Sequence, residues 1–318
     1  MLWGKFFPDD FRKNLKYCVG ASGYTYTRLH EVEEYKNVDI LFVGSSHAYR
    51  GFDPRIFKAA GFTSFNLGTS SQTPVQTAIL LDRYLDSLNP KTVVYEVYPY
   101  TFSSDGVESS VDVIANSIID RHSFKMAFKL NHLKTYNTLA YGFLSQLFSK
   151  GVQAKENLSF ATANSSFRDS TSYVPGGFTD RRREWEGING LRMKEQLNEA
   201  PGVDKKGIMT DISIIQTRKG KWDPRNYQLD VFESILKKLQ NRNIRIVLVQ
   251  APINSKYYQL IQCNKEIDSY FSSKGEYYNF NEMMHFDNEM EFIDYDHLNQ
   301  NGVKKMNEAL IEKAFKKN

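Results

Sequence analysis

Cysteine is scarce in this chain: Cys18 and Cys263 are the only two in 318 residues, far apart and without metal-type spacing. A disulfide framework is therefore unsupported, and two buried or idle thiols are expected. No run of roughly eighteen apolar residues occurs, so no membrane-spanning helix is expected. Met1 to Asp10 is broken by Lys5, Pro8 and Asp9 and does not read as a signal peptide, so the chain as written reads as soluble, with a removed upstream leader or anchor left open. Neither sign of charge dominates: 41 Lys and Arg face 37 Asp and Glu, a net +4 spread along the chain that gives no reason to invoke nucleic acid. A glycine-rich phosphate loop is missing, which argues against a nucleotide-dependent enzyme. His30, His122, His132 and His285 lack ligand spacing, so neither a metal nor another cofactor is expected.

Apolar residues make up 41% and charged residues 25% of the sequence, a globular balance that can bury a sizeable core. Residues 1–37 read as a lead-in arm, with a short helix expected in the charged stretch Arg28 to Lys36. The run Ile40 to Val43 then has the β-branched and aromatic content of a strand covered on both faces. Gly44 permits a sharp turn, and Ser46 is left at the carboxyl end of that strand, where open α/β sheets place their ligands. Asp53 caps a helix beginning at Pro54, and a short strand, Thr63 to Leu67, ends at Gly68. Thr73 caps a long helix with Pro74 at its first position and an apolar face of Val75, Ala78, Ile79, Leu81, Leu85 and Leu88. The strand Thr92 to Val97 closes this unit at Tyr98-Pro99.

Alternating strands and helices of this kind predict right-handed parallel crossovers, hence a doubly wound, three-layer α/β/α fold with a mainly parallel central sheet. The pattern resumes with a helix from Asn226 to Gln240, a strand from Ile244 to Gln250, a helix from Tyr257 to Phe271 and a short strand at Tyr277 to Phe280. One domain over 38–316 with an insertion at about 103–221 is preferred over two domains. Within the insertion Phe124 to Phe148 reads as helical. Beyond it Phe167, Tyr173, Phe178 and Trp185 punctuate a polar stretch, which favours an ordered cover over a site rather than a mobile loop.

Near the end stands Asp294-Tyr295-Asp296-His297, on a turn before a helix. A carboxylate three residues before a histidine can accept one imidazole N–H while the other nitrogen faces outward, as a general base for a serine requires. Asp296, next to the histidine, competes with Asp294 as partner but is read as structuring the turn. His47 is read as a turn residue or a group behind the site, because neighbouring side chains point apart. Glu96 stays open between a site carboxylate and a strand-end hydrogen-bonding group.

Gly44-Ser45-Ser46, Asn66-Leu67-Gly68 and Asp294-x-x-His297 with Gly302 resemble, in order and spacing, blocks I, II and V of the SGNH/GDSL hydrolase superfamily. More narrowly, Gly44 to Pro54, Phe65 to Gly68 and Tyr295 to Gly302 are similar to bacterial envelope-associated members related to polysaccharide O-acetylation and teichoic-acid D-alanylation proteins. The resemblance covers roughly 38–100 and 226–316. It implies a flavodoxin-like fold, Ser46 as nucleophile, His297 as base, Asp294 as its orienting acid, and the Ser46 and Gly68 N–H groups as oxyanion donors. It also implies a cell-envelope or extracytoplasmic setting, and as substrate a carbohydrate ester or small acyl ester, either hydrolysed or used for transfer to a sugar hydroxyl. Two positions depart from the pattern: Ser45 stands where Asp is usual, and Glu96-Val97-Tyr98-Pro99 replaces the block III Gly-x-Asn-Asp. Tyr98, Asn116 or a group from the insertion is left to supply the missing donor. The Ser45 departure is mild, the missing block III motivates a catalytically degenerate glycan-binding protein as the third reading, and chain order and motif spacing favour an active triad.

Overall fold

The fold is given by a computed structural model that describes residues 14–20, 23–148, 172–180 and 203–316. Five strands, β1 (Ile40–Val43), β2 (Ser64–Asn66), β3 (Thr92–Glu96), β6 (Arg245–Gln250) and β7 (Glu276–Asn279), form one sheet in the order β2-β1-β3-β6-β7. Every pair in it is parallel. A second, two-stranded sheet pairs β4 (Ser172–Val174) with β5 (Phe178–Asp180).

The layers follow from the period-two alternation of side chains along a strand. Leu41, Val43, Val93, Tyr95 and Leu248 point to one core, and Ile40, Phe42, Val94, Val247 and Val249 point to the other. The first core is roofed by α4 (Pro74–Leu88), by α10 (Asn226–Asn241) and by α12 (Asn264–Ser272). The second is roofed by α2 (Ser46–Gly51), α3 (Pro54–Ala59) and α14 (Gln300–Leu310). This is the expected α/β/α arrangement, with a sheet that is wholly rather than mainly parallel.

Strand order reverses between β1 and β3, which opens a crevice at their carboxyl ends. Both local caps read from sequence are present: Asp53 Oδ1 accepts the Arg55 N–H at 3.0 Å, and Thr73 forms a capping box with Gln76, whose Oε1 accepts the Thr73 N–H at 3.0 Å.

Several boundaries differ from expectation. The arm's helix is α1 (Thr25–Glu31), which begins three residues before the charged stretch and runs into it, continued by a 3-10 turn over Val32–Glu34. The Phe124–Phe148 segment is two helices, α7 (Arg121–Leu130) and α8 (Leu133–Phe148), separated at Asn131, whose φ of 48° interrupts the helix. Likewise the Tyr257–Phe271 helix is α11 (Ser255–Leu260) followed by α12, with Ile261 extended between them. Periodicity carries through such breaks because both halves bury apolar residues in the same core. Cys263 is buried as expected, whereas Cys18 is exposed. Of the insertion, α5 (Pro99–Ser103), α6 (Val107–Asn116), α7, α8, the β4–β5 hairpin and α9 (Val203–Ile215) are described; Phe167 and Trp185 lie outside the described residues. The hairpin docks on the β2 edge, where the Gly176 carbonyl accepts the Asn66 N–H at 2.9 Å. Buried Arg28 fastens it by donating from Nε to the Gly177 carbonyl at 2.8 Å.

Candidate active site

Gly44 ends β1 with a φ of 139°, and a Cβ there would sit 2.7 Å from Glu96 Cβ, so the turn requires glycine twice over. Ser45 follows as the N-cap of α2, its Oγ accepting the His47 N–H at 3.2 Å, and Ser46 is the first helical residue. From the other side of the crevice comes the turn before α14. Asp294 Oδ1 accepts the N–H groups of Asp296 (3.1 Å) and His297 (2.7 Å), and a bridge between Phe292 and Leu298 pinches the loop shut. Asn299 then caps α14 by accepting from Asn301 and Gly302. Each side chain of the Asp294-His297-Ser46 set is thus placed by a capped or bridged turn at a helix start.

Across 251 positions of sequence, His297 Nε2 lies 2.8 Å from Ser46 Oγ. Its Nδ1 lies 3.0 and 3.1 Å from the two oxygens of Asp294, in hydrogen-bond geometry. Asp296 Oδ1 comes within 2.8 Å of the same nitrogen, at ion-pair distance. Burial opposes the imidazolium, but Asp294 and Asp296 together outweigh it and lift His297 to about 9. Burial also opposes the Asp294 carboxylate, and His297 nevertheless holds it far below the usual carboxylate range. Asp296 goes the other way: burial, with Asp294 adding to it, lifts it to about 6. Below about pH 9 the His297 Nε2–H therefore donates to Ser46 Oγ, and above it Nε2 is free to accept the serine proton.

The two departures from the superfamily pattern meet in space. Ser45 Oγ donates to Glu96 Oε2 at 2.7 Å, and the Ser45 N–H donates to the same oxygen at 2.9 Å. Glu96 thus braces the Ser45-Ser46 turn from the end of β3, and burial raises it to about 7. His47 is buried behind the site with its ring stacked on His297, centroids 4.7 Å apart and planes 13° from parallel. Burial, and the charge of His297, hold His47 well below the ordinary histidine value. Asp296 touches the His297 imidazole directly and so does more than structure the turn; adjacency in sequence says nothing of side-chain direction.

Other candidates are placed elsewhere. Gly68 donates its N–H to Asn66 Oδ1 at 3.0 Å, so the expected oxyanion donor is already engaged. Its lack of a side chain has a packing reason: a Cβ would fall 2.9 Å from the Ser45 carbonyl and 3.0 Å from the Tyr49 nitrogen, where α2 crosses the loop. Ser46 N–H has no acceptor among the described residues and remains the backbone donor. Tyr98 lines the site only through His47, its ring 4.2 Å from that imidazole, while its hydroxyl pairs with Tyr257 at 3.1 Å. Asn116 sits on α6, occupied by the Gly20 N–H and by Asp112, and none of its hydrogen bonds reaches Ser46 or Gly68. Arg50, one helical turn after Ser46, was not foreseen. Its Nε has no hydrogen-bond partner among the described residues, and its charge acts on both Asp294 and Asp296.

His47, Asp296 and His297 bring potential metal-ligand atoms within 4.8 Å of one another. The two imidazoles are stacked, however, so their in-plane lone pairs run alongside rather than converge on one ion. A cavity of about 350 Å³ between α4, α7 and α10, lined by Ile79, Met126 and Ile235 and rimmed by Lys125, Lys129 and Lys238, is separate from these residues. No helix among the described residues is long and apolar enough to cross a membrane. No protein-family model matches the chain, and a search of curated proteins finds no relative.

Proposed function

We propose that this chain is a serine-dependent acyl hydrolase of the SGNH/GDSL type acting on an ester, with an O-acetylated carbohydrate or a small acyl ester as substrate. The observation that carries the reading is the 2.8 Å contact between Ser46 Oγ and His297 Nε2, with Asp294 on the opposite ring nitrogen. Two segments at opposite ends of the sequence meet in the order nucleophile, base, orienting acid. In the acylation step Ser46 Oγ bonds to the ester carbonyl carbon as its proton passes to His297 Nε2, and the carbonyl π pair becomes an oxyanion facing the Ser46 N–H. Collapse expels the alcohol oxygen, which takes the proton from Nε2 and leaves an acyl-serine. Water repeats the sequence to release the acid, and a sugar hydroxyl in its place would make the same intermediate a transfer reagent.

A degenerate binding protein is the second reading, favoured because Gly68 N–H, Tyr98 and Asn116 are all engaged in other hydrogen bonds. Each missing oxyanion donor costs on the order of a hundredfold in rate. Incubation with a fluorophosphonate and peptide mapping separates the two. The hydrolase reading expects stoichiometric labelling of Ser46 that is lost in Ser46→Ala. Folded protein that stays unlabelled under prolonged exposure at pH 9 would favour the binding protein.

A further inference from the structure

We propose that Glu96, Ser45, His47 and Asp296 form a buried positioning chain for His297 that reaches the same Nδ1 as Asp294 by a second route. The inference rests on the reading of His297 as the base for Ser46. Its links are a Glu96 Oε2–Ser45 Oγ hydrogen bond of 2.7 Å, a Ser45 Oγ–His47 Nδ1 contact of 3.1 Å, a His47 Nε2–Asp296 Oδ2 approach of 3.7 Å and an Asp296 Oδ1–His297 Nδ1 approach of 2.8 Å. Glu96, Ser45, His47 and Asp296 are all buried.

Proton inventory orients the chain. With Glu96 ionised, the one hydrogen of Ser45 Oγ goes to Glu96, and His47 then donates from Nδ1 to Ser45 and presents the lone pair of Nε2 to Asp296. That nitrogen is buried and has no hydrogen-bond partner. A lone pair facing a carboxylate 3.7 Å away in a buried site is unfavourable, which disfavours the ionised form of Asp296. The rise of Asp296 to about 6 agrees with this. When the proton leaves, the full Asp296 charge falls on His297 Nδ1. The groups facing His297 are then Asp294 and Asp296 from its own turn, His47, Tyr49 and Arg50 from α2, and Glu96 from the end of β3. His47 and Asp296 are positioning residues: they act on Ser46 only through the imidazole. A role confined to shaping the turn would leave the His297 titration unmoved.

Histidine ¹⁵N–¹H NMR across pH 5 to 10 on the full chain, paired with fluorophosphonate labelling rates, tests this. In the wild type the chain requires His47 to stay neutral with its proton on Nδ1, while His297 titrates well above the ordinary histidine range. In Asp296→Asn the His297 midpoint should fall by about one pH unit or more, with the pH rise of labelling displaced by the same amount. Asp294→Asn should remove labelling instead. A His297 titration identical in wild type and Asp296→Asn, or a His47 that titrates in the ordinary range, overturns the proposal. The wild-type measurement decides even if the variant does not fold. Absence of labelling together with the predicted titrations would overturn the hydrolase reading and leave the chain of contacts standing.

Discussion

At the residue scale His297 concentrates the chemistry, because two carboxylates and a stacked imidazole surround one ring. Its lift to about 9 means that the His297 imidazole is protonated at neutral pH. Labelling of Ser46 should therefore climb with pH and level off above about 9, measured as the rate of fluorophosphonate incorporation between pH 6 and 10. Asp294→Asn should cut that rate by roughly a thousandfold or more at any pH, since an amide cannot hold the tautomer in which Nε2 accepts. Ser46, His297 and Asp294 were legible in sequence because each sits in a short local pattern, a strand-end turn or an Asp-x-x-His turn. Asp296 and Glu96 were legible as residues but not as contacts. A one-residue difference in a turn sends a side chain in a new direction, and only coordinates reveal that Ser45 and Glu96 answer each other.

At the element scale, Phe42 shows how the site is held. It alternates out of β1 into the core beneath α2, stacked on Phe52 at 4.7 Å and edge-on to Phe57 at 4.8 Å, and all three rings are buried. Phe42→Ala should cost about 3–5 kcal/mol in unfolding free energy, read from urea titration. The α4 cap is a smaller device: Thr73→Ala should cost about 1 kcal/mol by the same measurement, with labelling of Ser46 unchanged. Strands β1, β3 and β6 were readable because continuous apolar runs bounded by Gly, Pro or Asn have few other interpretations. Helix α2 was not foreseen. Ser46 to Gly51 contains no apolar repeat long enough to register, and its helical turn is set by the Ser45 cap and by packing of Ala48 and Phe52.

For the whole molecule, the raised His297 has a thermodynamic counterpart. A histidine whose folded pKa lies above its unfolded value stabilises the fold fully below the unfolded value near 6.5, and that contribution is lost as pH rises through about 9. Glu96, raised to about 7, adds a loss with the same sign at lower pH: folding favours its protonated form, and this advantage disappears as pH climbs from the unfolded carboxyl value through 7. Stability should therefore fall between pH 7 and pH 9.5, seen as a lower Tm in thermal melts, and His297→Gln should flatten that decline. On the proposed hydrolase reading, Ser46 labelling and stability should run in opposite directions with pH, because the same proton that blocks His297 as a base strengthens its ion pairs.

Sequence alone determined the α/β class, the strand-helix alternation, the caps at Asp53 and Thr73 and the three residues of the candidate triad. Those features depend on near neighbours or on periodicity, and both are written along the chain. Tertiary structure decided the rest: that Gly68 is engaged by Asn66, that Asn116 belongs to another part of the fold, and that Glu96 braces Ser45. Each of these is a hydrogen-bond choice among several acceptors or donors within reach. Such choices are settled by burial, where a polar group must find its partner in whatever geometry the packed elements leave open.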